Sequence, residues 1–264
     1  RHSSSAASDV YKRQSMQRAY ADRAEYHGDP DYYDVPVGAI LSKKYSQDLS
    51  NTITEYRTPD GQIFEGELKK YDESPDTTHF SIIDSNGNAV SNTYTLGSSF
   101  GSGVTIDKGG FLMNNQMRNF SHFYGKNDAE YGTSEANKLE PGKRMISTQT
   151  PTLVFDPNDE LMMILGSPGG GRIPNIITQV ISNIIDHDMS FTESVMAPRI
   201  NQRLEGSLQL ETGFSPDTIT LLKLKGHKVE KSTTMGSVQA IFLEGDNIYG
   251  VADTRRPGAL AKGD

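Results

Sequence analysis

Asp76-Thr77-Thr78-His79-Phe80-Ser81 is the stretch that decides the fold, because it reads as a threonine-led strand that a tight turn folds back on itself. Asn86-Gly87 lies between Phe80-Ser81-Ile82-Ile83-Asp84 and Ala89-Val90-Ser91-Asn92-Thr93-Tyr94-Thr95, and Asn-Gly between two strand-forming runs is the strongest short hairpin signal. With those two residues at the tip, Ser85 faces Asn88, and the same register puts Thr95 opposite Thr78 and next to Thr77. The spacing predicts a pair of hydroxyls. A threonine hydroxyl is a weak nucleophile until a base takes its proton, and a threonine freed as a chain N-terminus carries that base as its own α-amine. An α-amine titrates near ~7.7–8.0, so part of it is neutral at neutral pH. The competing reading is a polar hairpin with its hydroxyls in water, since threonine is simply a good strand former.

The rest of the chain narrows the chemistry by exclusion. It has 264 residues, 34% of them hydrophobic, and a formal net charge of -8. That length allows one large domain or two small ones, with a core that is economical or shared. The negative balance argues against a nucleic acid or an acidic membrane surface as partner. No run approaches the ~20 apolar residues of a membrane-spanning helix. There is no cysteine, which removes disulfides and thiolate chemistry and fits an extracytoplasmic protein as well as many cytosolic ones. The six histidines are scattered, with none at i, i+3 or i, i+4, so no metal or other cofactor is expected. His79, beside the hydroxyl pair, reads most simply as a strand residue hydrogen-bonded in place. Residues 1–14, from Arg1 to Gln14, resemble translated adaptor sequence and are set aside. The native start is then missing, so the lack of a signal-like segment carries no information about compartment.

Along the chain, Tyr20 to Arg57 reads as a polar stretch with a turn-rich loop at Asp29-Pro30-Asp31, followed by a short helix from Lys43 to Ile53. Residues 58–76 look like an exposed connector, a suitable place for processing just before Thr77. Gly97 to Gly103 is a flexible loop, and Gly110 to Gln116 resumes as a strand ending in amides. Leu161-Met162-Met163-Ile164-Leu165 reads as a buried strand, and Ile173, Ile176, Ile177, Val180, Ile181, Ile184 and Ile185 mark one face of a helix. A further helix starts at Ser215-Pro216 and stops at Gly226, and strands Val238 to Leu243 and Ile248 to Ala252 follow. Strands grouped around helices, not strictly alternating with them, indicate a layered α+β domain.

Between the buried strand and the long helix lies Gly166-Ser167-Pro168-Gly169-Gly170-Gly171-Arg172. A strand, a glycine-rich turn and a helix N-terminus aim free amide N–H groups at one point, which makes an anion site. A phosphate loop would need Lys and then Ser or Thr where Arg172 and Ile173 stand. An oxyanion hole needs only two backbone donors that an acyl carbon can approach closely, which side-chain-free Gly169 and Gly170 permit. A purely structural strand-to-helix turn is the third reading.

Taken together, these segments resemble the γ-glutamyltransferase family of N-terminal-nucleophile hydrolases. Thr77-Thr78-His79-Phe80-Ser81 is similar to its processing and nucleophile motif, Asn86 to Val90 to its turn, and Thr93-Tyr94-Thr95-Leu96 to the strand bearing a supporting hydroxyl. Asn114-Asn115-Gln116-Met117, Lys143-Arg144, the glycine loop and Asp253-Thr254-Arg255-Arg256 match further blocks. The resemblance implies a four-layer αββα sandwich, incomplete here because the upstream large subunit is missing. It implies self-cleavage between Asp76 and Thr77, with residues 15–76 as the tail of the large subunit and 77–264 as the small, catalytic one. The large subunit would be the protein partner, in a heterodimer, and the periplasm or extracellular space the location.

In that scheme Thr77 attacks an amide carbonyl, its α-amine relays the proton, Thr95 orients the hydroxyl, and the Gly169 and Gly170 N–H groups hold the oxyanion. The acyl group of a glutathione-like γ-glutamyl amide then passes to water or an amino acid, without any cofactor. Matching substrate positions are Gly97, Gln116, Asn119, Ser147 and Thr148. Gly97 stands where the family has Asn or Glu, Asn119 where an Asp pairs with the substrate α-ammonium, and Thr148 where Ser is usual. Losing one side of a buried ion pair costs ~3–5 kcal/mol, so an acyl group without the α-ammonium, glutaryl-like or a dicarboxylic monoamide, is the alternative. A non-catalytic binding module that never cleaves is the rival from another class.

Overall fold

The computed structural model describes residues 6–59, 62–63, 77–121, 134–204 and 206–263. The chain opens with helices α1 (Ala6–Tyr26), α2 (Val37–Ile40) and α3 (Lys43–Ser50), and then forms the hairpin β1 (Thr77–Ile83) and β2 (Ala89–Thr95). Strands β3 (Thr152–Phe155) and β4 (Leu161–Gly166) lead through the glycine loop into α4 (Ile173–Ile185) and α5 (Phe191–Met196). Short strands β5 (Ile200–Asn201) and β6 (Leu208–Leu210), helix α6 (Pro216–Leu224) and strand β7 (Val229–Lys231) precede β8 (Gln239–Glu244) and β9 (Asn247–Ala252).

The central sheet runs β3-β4-β8-β9, antiparallel throughout. On one face, Met163 and Leu165 of β4, Ala240 and Phe242 of β8 and Val251 of β9 pack against Ile173, Ile176, Ile177 and Val180 of α4 and Val195 of α5. Each fully buried aliphatic side chain here contributes roughly 1.5–3 kcal/mol, which makes this cluster the principal support of the site. The other face receives the hairpin. Ser91 donates its hydroxyl proton to Leu165 O at 2.9 Å, and Ser81 donates to Gln239 O at 3.1 Å. Helices, sheet and hairpin thus form three successive layers, α, β and β. The second helical layer of a four-layer sandwich is not among the described residues. A separate sheet, β5-β6-β7, packs with α1 and α6 around Ile200, Leu208, Leu210 and Leu222.

The structure differs from the sequence reading at four places. The hairpin pairs Ile83 with Ala89 and Thr77 with Thr95, a shift of one residue from the register that an Asn86-Gly87 tip implies. The cause is the turn: the Asp84 carboxylate accepts the N–H groups of Asn86 and Asn88, and Gly87 takes a left-handed φ of 80°, so three residues form the loop. Residues 110–116 contribute only a single bridge, Thr105 to Leu112, in place of a strand. Their amides bond elsewhere: Asn114 Oδ1 accepts the Gln116 N–H, and Asn115 bonds Ser98. Residues 20–26, read only as the start of a polar stretch, belong to α1, which continues to Tyr26. Finally, residues 6–14, set aside as adaptor-like, form the first part of α1 with Val10, Arg13 and Gln14 buried. Most of the connector 58–76, including Asp76, lies outside the described residues.

Candidate active site

Thr77 is the first residue of β1 and only 5% exposed. Its hydroxyl oxygen lies 3.2 Å from that of Thr95, directly across the hairpin. Because side chains alternate between strand faces, Thr77 and His79 point toward the central sheet, while Thr78 and Phe80 point outward. The Gly97 N–H donates to Thr95 Oγ1 at 2.9 Å, which pins the oxygen that accepts the Thr77 hydroxyl.

Two residues along, His79 shows why the hairpin sits so close to the sheet. Its ring is bracketed by Thr93 Oγ1 at 2.8 Å and Ser81 Oγ at 3.1 Å. A Cβ added to Gly166 would fall 2.1 Å from His79 Cε1, so the strand can lie here only because position 166 has no side chain. Burial pushes the His79 imidazole down to about 4, so it is neutral at pH 7. The ring therefore acts as packing and hydrogen bonding, in line with its simplest sequence reading.

The glycine loop starts at that contact. Gly169 and Gly170 have φ of 141° and 56°, in the region that glycine alone enters at little cost. A Cβ on Gly169 would meet Ile176 Cδ1 at 3.1 Å. Ser167 Oγ accepts the Ser237 N–H at 2.9 Å, and Tyr20 of α1 donates its hydroxyl to Gly171 O. Thr78 and Pro168 line one cavity of about 630 Å³, so the glycine loop and β1 are neighbours.

Gln116 and Asn119 lie in a 3-10 turn, Gln116–Asn119, that is tied back to the hairpin. Asn115 N–H donates to Leu96 O at 2.9 Å, and Asn119 Nδ2 donates to Gln116 Oε1 at 2.7 Å. Gly97, at φ 94°, has Asn115 Oδ1 2.1 Å from where a Cβ would stand. Asn115 thus fills the space a side chain at 97 would need. Ser147 and Thr148 are placed apart: they line a cavity of about 810 Å³ with Tyr20 and Arg23 of α1 and Pro174 and Asn175 of α4, whose lining does not include Thr77. Hydrogen bonds link Thr77 to Thr95 and Thr95 to Gly97, and Asn115 ties the turn that carries Gln116 and Asn119 to the same hairpin end; the glycine loop meets the hairpin at Gly166 and Pro168, and Ser147 and Thr148 have their own wall.

Two features had no signal in the sequence beyond a matching block. Arg199 is buried and bonds Asp253 at 2.7 Å, while Arg255 bonds Glu211 at 2.6 Å, forming a brace under the loop. Burial opposes ionisation of Asp253, but Arg199, two backbone N–H groups and Arg255 outweigh it and hold the carboxyl below its usual range. Arg256 Nη1 donates to Thr77 O at 2.7 Å. Among the described residues, no group of three or more His, Asp or Glu side chains could hold a metal ion, and no helix is long and apolar enough to cross a membrane.

A helix layer on a four-stranded sheet, faced by a hairpin that begins with a buried threonine, defines an α+β protein of the N-terminal-nucleophile hydrolase type. The family model described as gamma-glutamyltranspeptidase matches residues 3–263. A glutathione hydrolase proenzyme of Escherichia coli (strain K12) is 41% identical over 250 residues, covering 93% of this chain and 43% of that protein. A solved variant of the Helicobacter pylori gamma-glutamyltranspeptidase superposes with a TM-score of 0.63 at 40% identity, over 68% of this chain and 100% of that one. A cephalosporin acylase from Bacillus halodurans superposes with a TM-score of 0.81 at 25% identity, over 100% of this chain and 46% of that one. The chain belongs to the gamma-glutamyltranspeptidase family, and it spans less than half the length of the Escherichia coli relative.

Proposed function

We propose that the protein from which this chain comes is an acyl-transfer enzyme that uses Thr77 as nucleophile on γ-glutamyl amides of the glutathione type. The observation that carries the reading is the 3.2 Å contact between the Thr77 and Thr95 hydroxyls at the very start of β1. Cleavage between Asp76 and Thr77 frees the α-amine, which takes the hydroxyl proton as the oxygen attacks the amide carbon. The Gly169 and Gly170 N–H groups stabilise the oxyanion, a contribution of ~2.7–4 kcal/mol per donor in comparable sites. The protonated amine then gives its proton to the leaving nitrogen, and water or an amino acid releases the acyl group from the threonine ester.

The solved Helicobacter pylori chain is covered over its whole length by 68% of this chain, close to the share that residues 77–264 make up, which supports the cleavage point. The segment upstream of Thr77 would stay docked after the cut: Asp29 accepts bonds from Arg144 Nε at 2.9 Å and from its main-chain N–H at 2.8 Å. The large partner subunit and a periplasmic or extracellular location belong to the same proposal, as do substrate contacts from Gly97, Gln116, Asn119, Ser147 and Thr148. Intact mass and N-terminal sequencing of the full-length reading frame test it. Two chains, the smaller starting at Thr77, together with hydrolysis of a γ-glutamyl anilide, are expected. A folded, uncut and inactive protein would favour the binding module instead.

A second acyl group is favoured by one feature. Asn119 offers a neutral amide already bonded to Gln116, and Gly97 offers no side chain. Neither supplies a charge for an α-ammonium, and the similarity to a cephalosporin acylase spans the whole chain. Comparing γ-glutamyl with glutaryl anilide separates the two: equal or faster turnover of the glutaryl compound would end the glutamyl reading.

A further inference from the structure

Once the bond to residue 76 is gone, Thr77 is held covalently only through its carbonyl carbon. Chain ends fray unless something ties them down, and here the end is also the nucleophile and the base. The Thr77 carbonyl oxygen receives Arg256 Nη1 at 2.7 Å, from a residue 179 positions away. Arg256 follows β9, and what precedes it is fixed. Asp253 N–H donates to Val238 O at 3.0 Å, Asp253 Oδ2 accepts from Arg199 at 2.7 Å, and Arg255 bonds both Asp253 and Glu211. The guanidinium therefore reaches Thr77 from an anchored base, although Arg256 is itself exposed.

Resting on the reading of Thr77 as nucleophile, we infer that Arg256 is a positioning residue that holds the Thr77 main chain still after cleavage. A clamp on the carbonyl restricts rotation about the Cα–C bond of Thr77, and with it the swing of both the α-amine and Oγ1. Productive attack needs reacting atoms about 3–3.5 Å apart, and a displacement of about 1 Å costs on the order of 10²-fold in rate. Arg256 touches the nucleophile's backbone and not the acyl group. Its loss should thus lower kcat and leave KM nearly unchanged. A merely structural arginine on a strand end would instead lower the melting temperature and leave the turnover of the folded enzyme alone.

The experiment compares Arg256→Ala, Arg256→Lys and Thr77→Ala in the full-length precursor, using whichever of γ-glutamyl or glutaryl anilide the wild type hydrolyses. For Arg256→Ala, kcat is expected to fall roughly 10- to 100-fold with KM within about twofold, and Arg256→Lys or added guanidinium ion to restore part of it. If Arg256→Ala leaves the precursor uncut, the two chains are coexpressed with the smaller beginning at Thr77, and kcat of that pair decides in the same way. A kcat within about twofold of wild type, or a raised KM with kcat intact, overturns the positioning role. Turnover retained in Thr77→Ala removes the acyl-threonine reading itself. An inactive Thr77→Ala beside a fully active Arg256→Ala removes only the inference about Arg256.

Discussion

The two arms of the candidate site are built on opposite principles. In the hairpin arm, the arrangement rests on atoms that are present: the Thr77 and Thr95 hydroxyls, 3.2 Å apart, and the His79 ring held between Thr93 and Ser81. In the glycine arm it rests on atoms that are absent: no Cβ at Gly166, where His79 lies, and none at Gly169, where Ile176 lies. The difference teaches how each arm fails. The first breaks when a group is deleted, the second when one is added.

Deleting the hydroxyl is expected to have the largest effect. Thr77→Ala should leave the precursor uncut and reduce turnover by about four orders of magnitude or more, because it removes the group proposed to react. Mass and anilide hydrolysis measure both, and substantial cleavage in the variant would dissolve the contrast. Next comes an addition on the other arm: Gly169→Ala forces a side chain to adopt a φ of 141° and meets Ile176 Cδ1 at 3.1 Å. Turnover should fall by roughly 10²–10³, as when one oxyanion donor is lost. Wild-type turnover in that variant would mean the loop is only a connection.

The arms meet at Gly166 and His79, and Gly166→Ala tests the junction. The new methyl would stand 2.1 Å from His79 Cε1, so the ring and its strand must shift. A loss of roughly 1–3 kcal/mol in urea unfolding is expected. Adding His79→Ala to the same protein should recover part of it, which a double-mutant cycle reads as coupling between the arms. Strict additivity would show that the two do not press on each other.

How far the sequence disclosed all this depends on what holds each element. Helix α4 was legible because Ile173, Ile176, Ile177 and Val180 bury an apolar stripe at helical spacing. Helix α1 was not, because much of its buried face is polar: Gln17 Nε2 reaches Leu204 O at 2.5 Å and Arg18 Nε reaches Thr52 Oγ1 at 2.6 Å. Burial secured by long-range hydrogen bonds leaves no hydropathy period. The hydroxyl pair was legible through its turn, although the Asp84 carboxylate moved the register by one. The bond from Arg256 to Thr77 was invisible, since nothing local links two residues 179 apart. Ser147 and Thr148 came forward only through resemblance, and their hydrogen bonds stay within their own loop.

The His79 ring gives the hairpin arm a dependence on pH. Its folded pKa is lowered from 6.5 to about 4 by burial, so the unfolded chain binds a proton more readily than the folded one between those values. The stability it supplies is complete above about 6.5 and lost as the pH falls toward 4. A decline of about 3 kcal/mol is expected from this group. Buried His227, also lowered to about 4, adds its own share in the β5-β6-β7 region, so the wild-type slope alone is not diagnostic. His79→Gln should flatten the slope partly, and an unchanged slope would take the acid sensitivity away from the hairpin.

The smallest effect is expected at the tip. Gly87 has a φ of 80°, and alanine there should cost about 1–2 kcal/mol for a left-handed conformation. Yet the register that pairs Thr77 with Thr95 has other guards: Asp84 accepts from both Asn86 and Asn88, Ser81 bonds Gln239 O, and Ser91 bonds Leu165 O. A slip of one residue would turn His79 and Thr77 to the outer face and break every one of those bonds. Gly87→Ala should therefore lower the melting temperature by a few degrees while kcat per folded molecule stays at the wild-type value. A large fall in kcat would show that the turn, and not the sheet beneath it, sets the distance between the two hydroxyls.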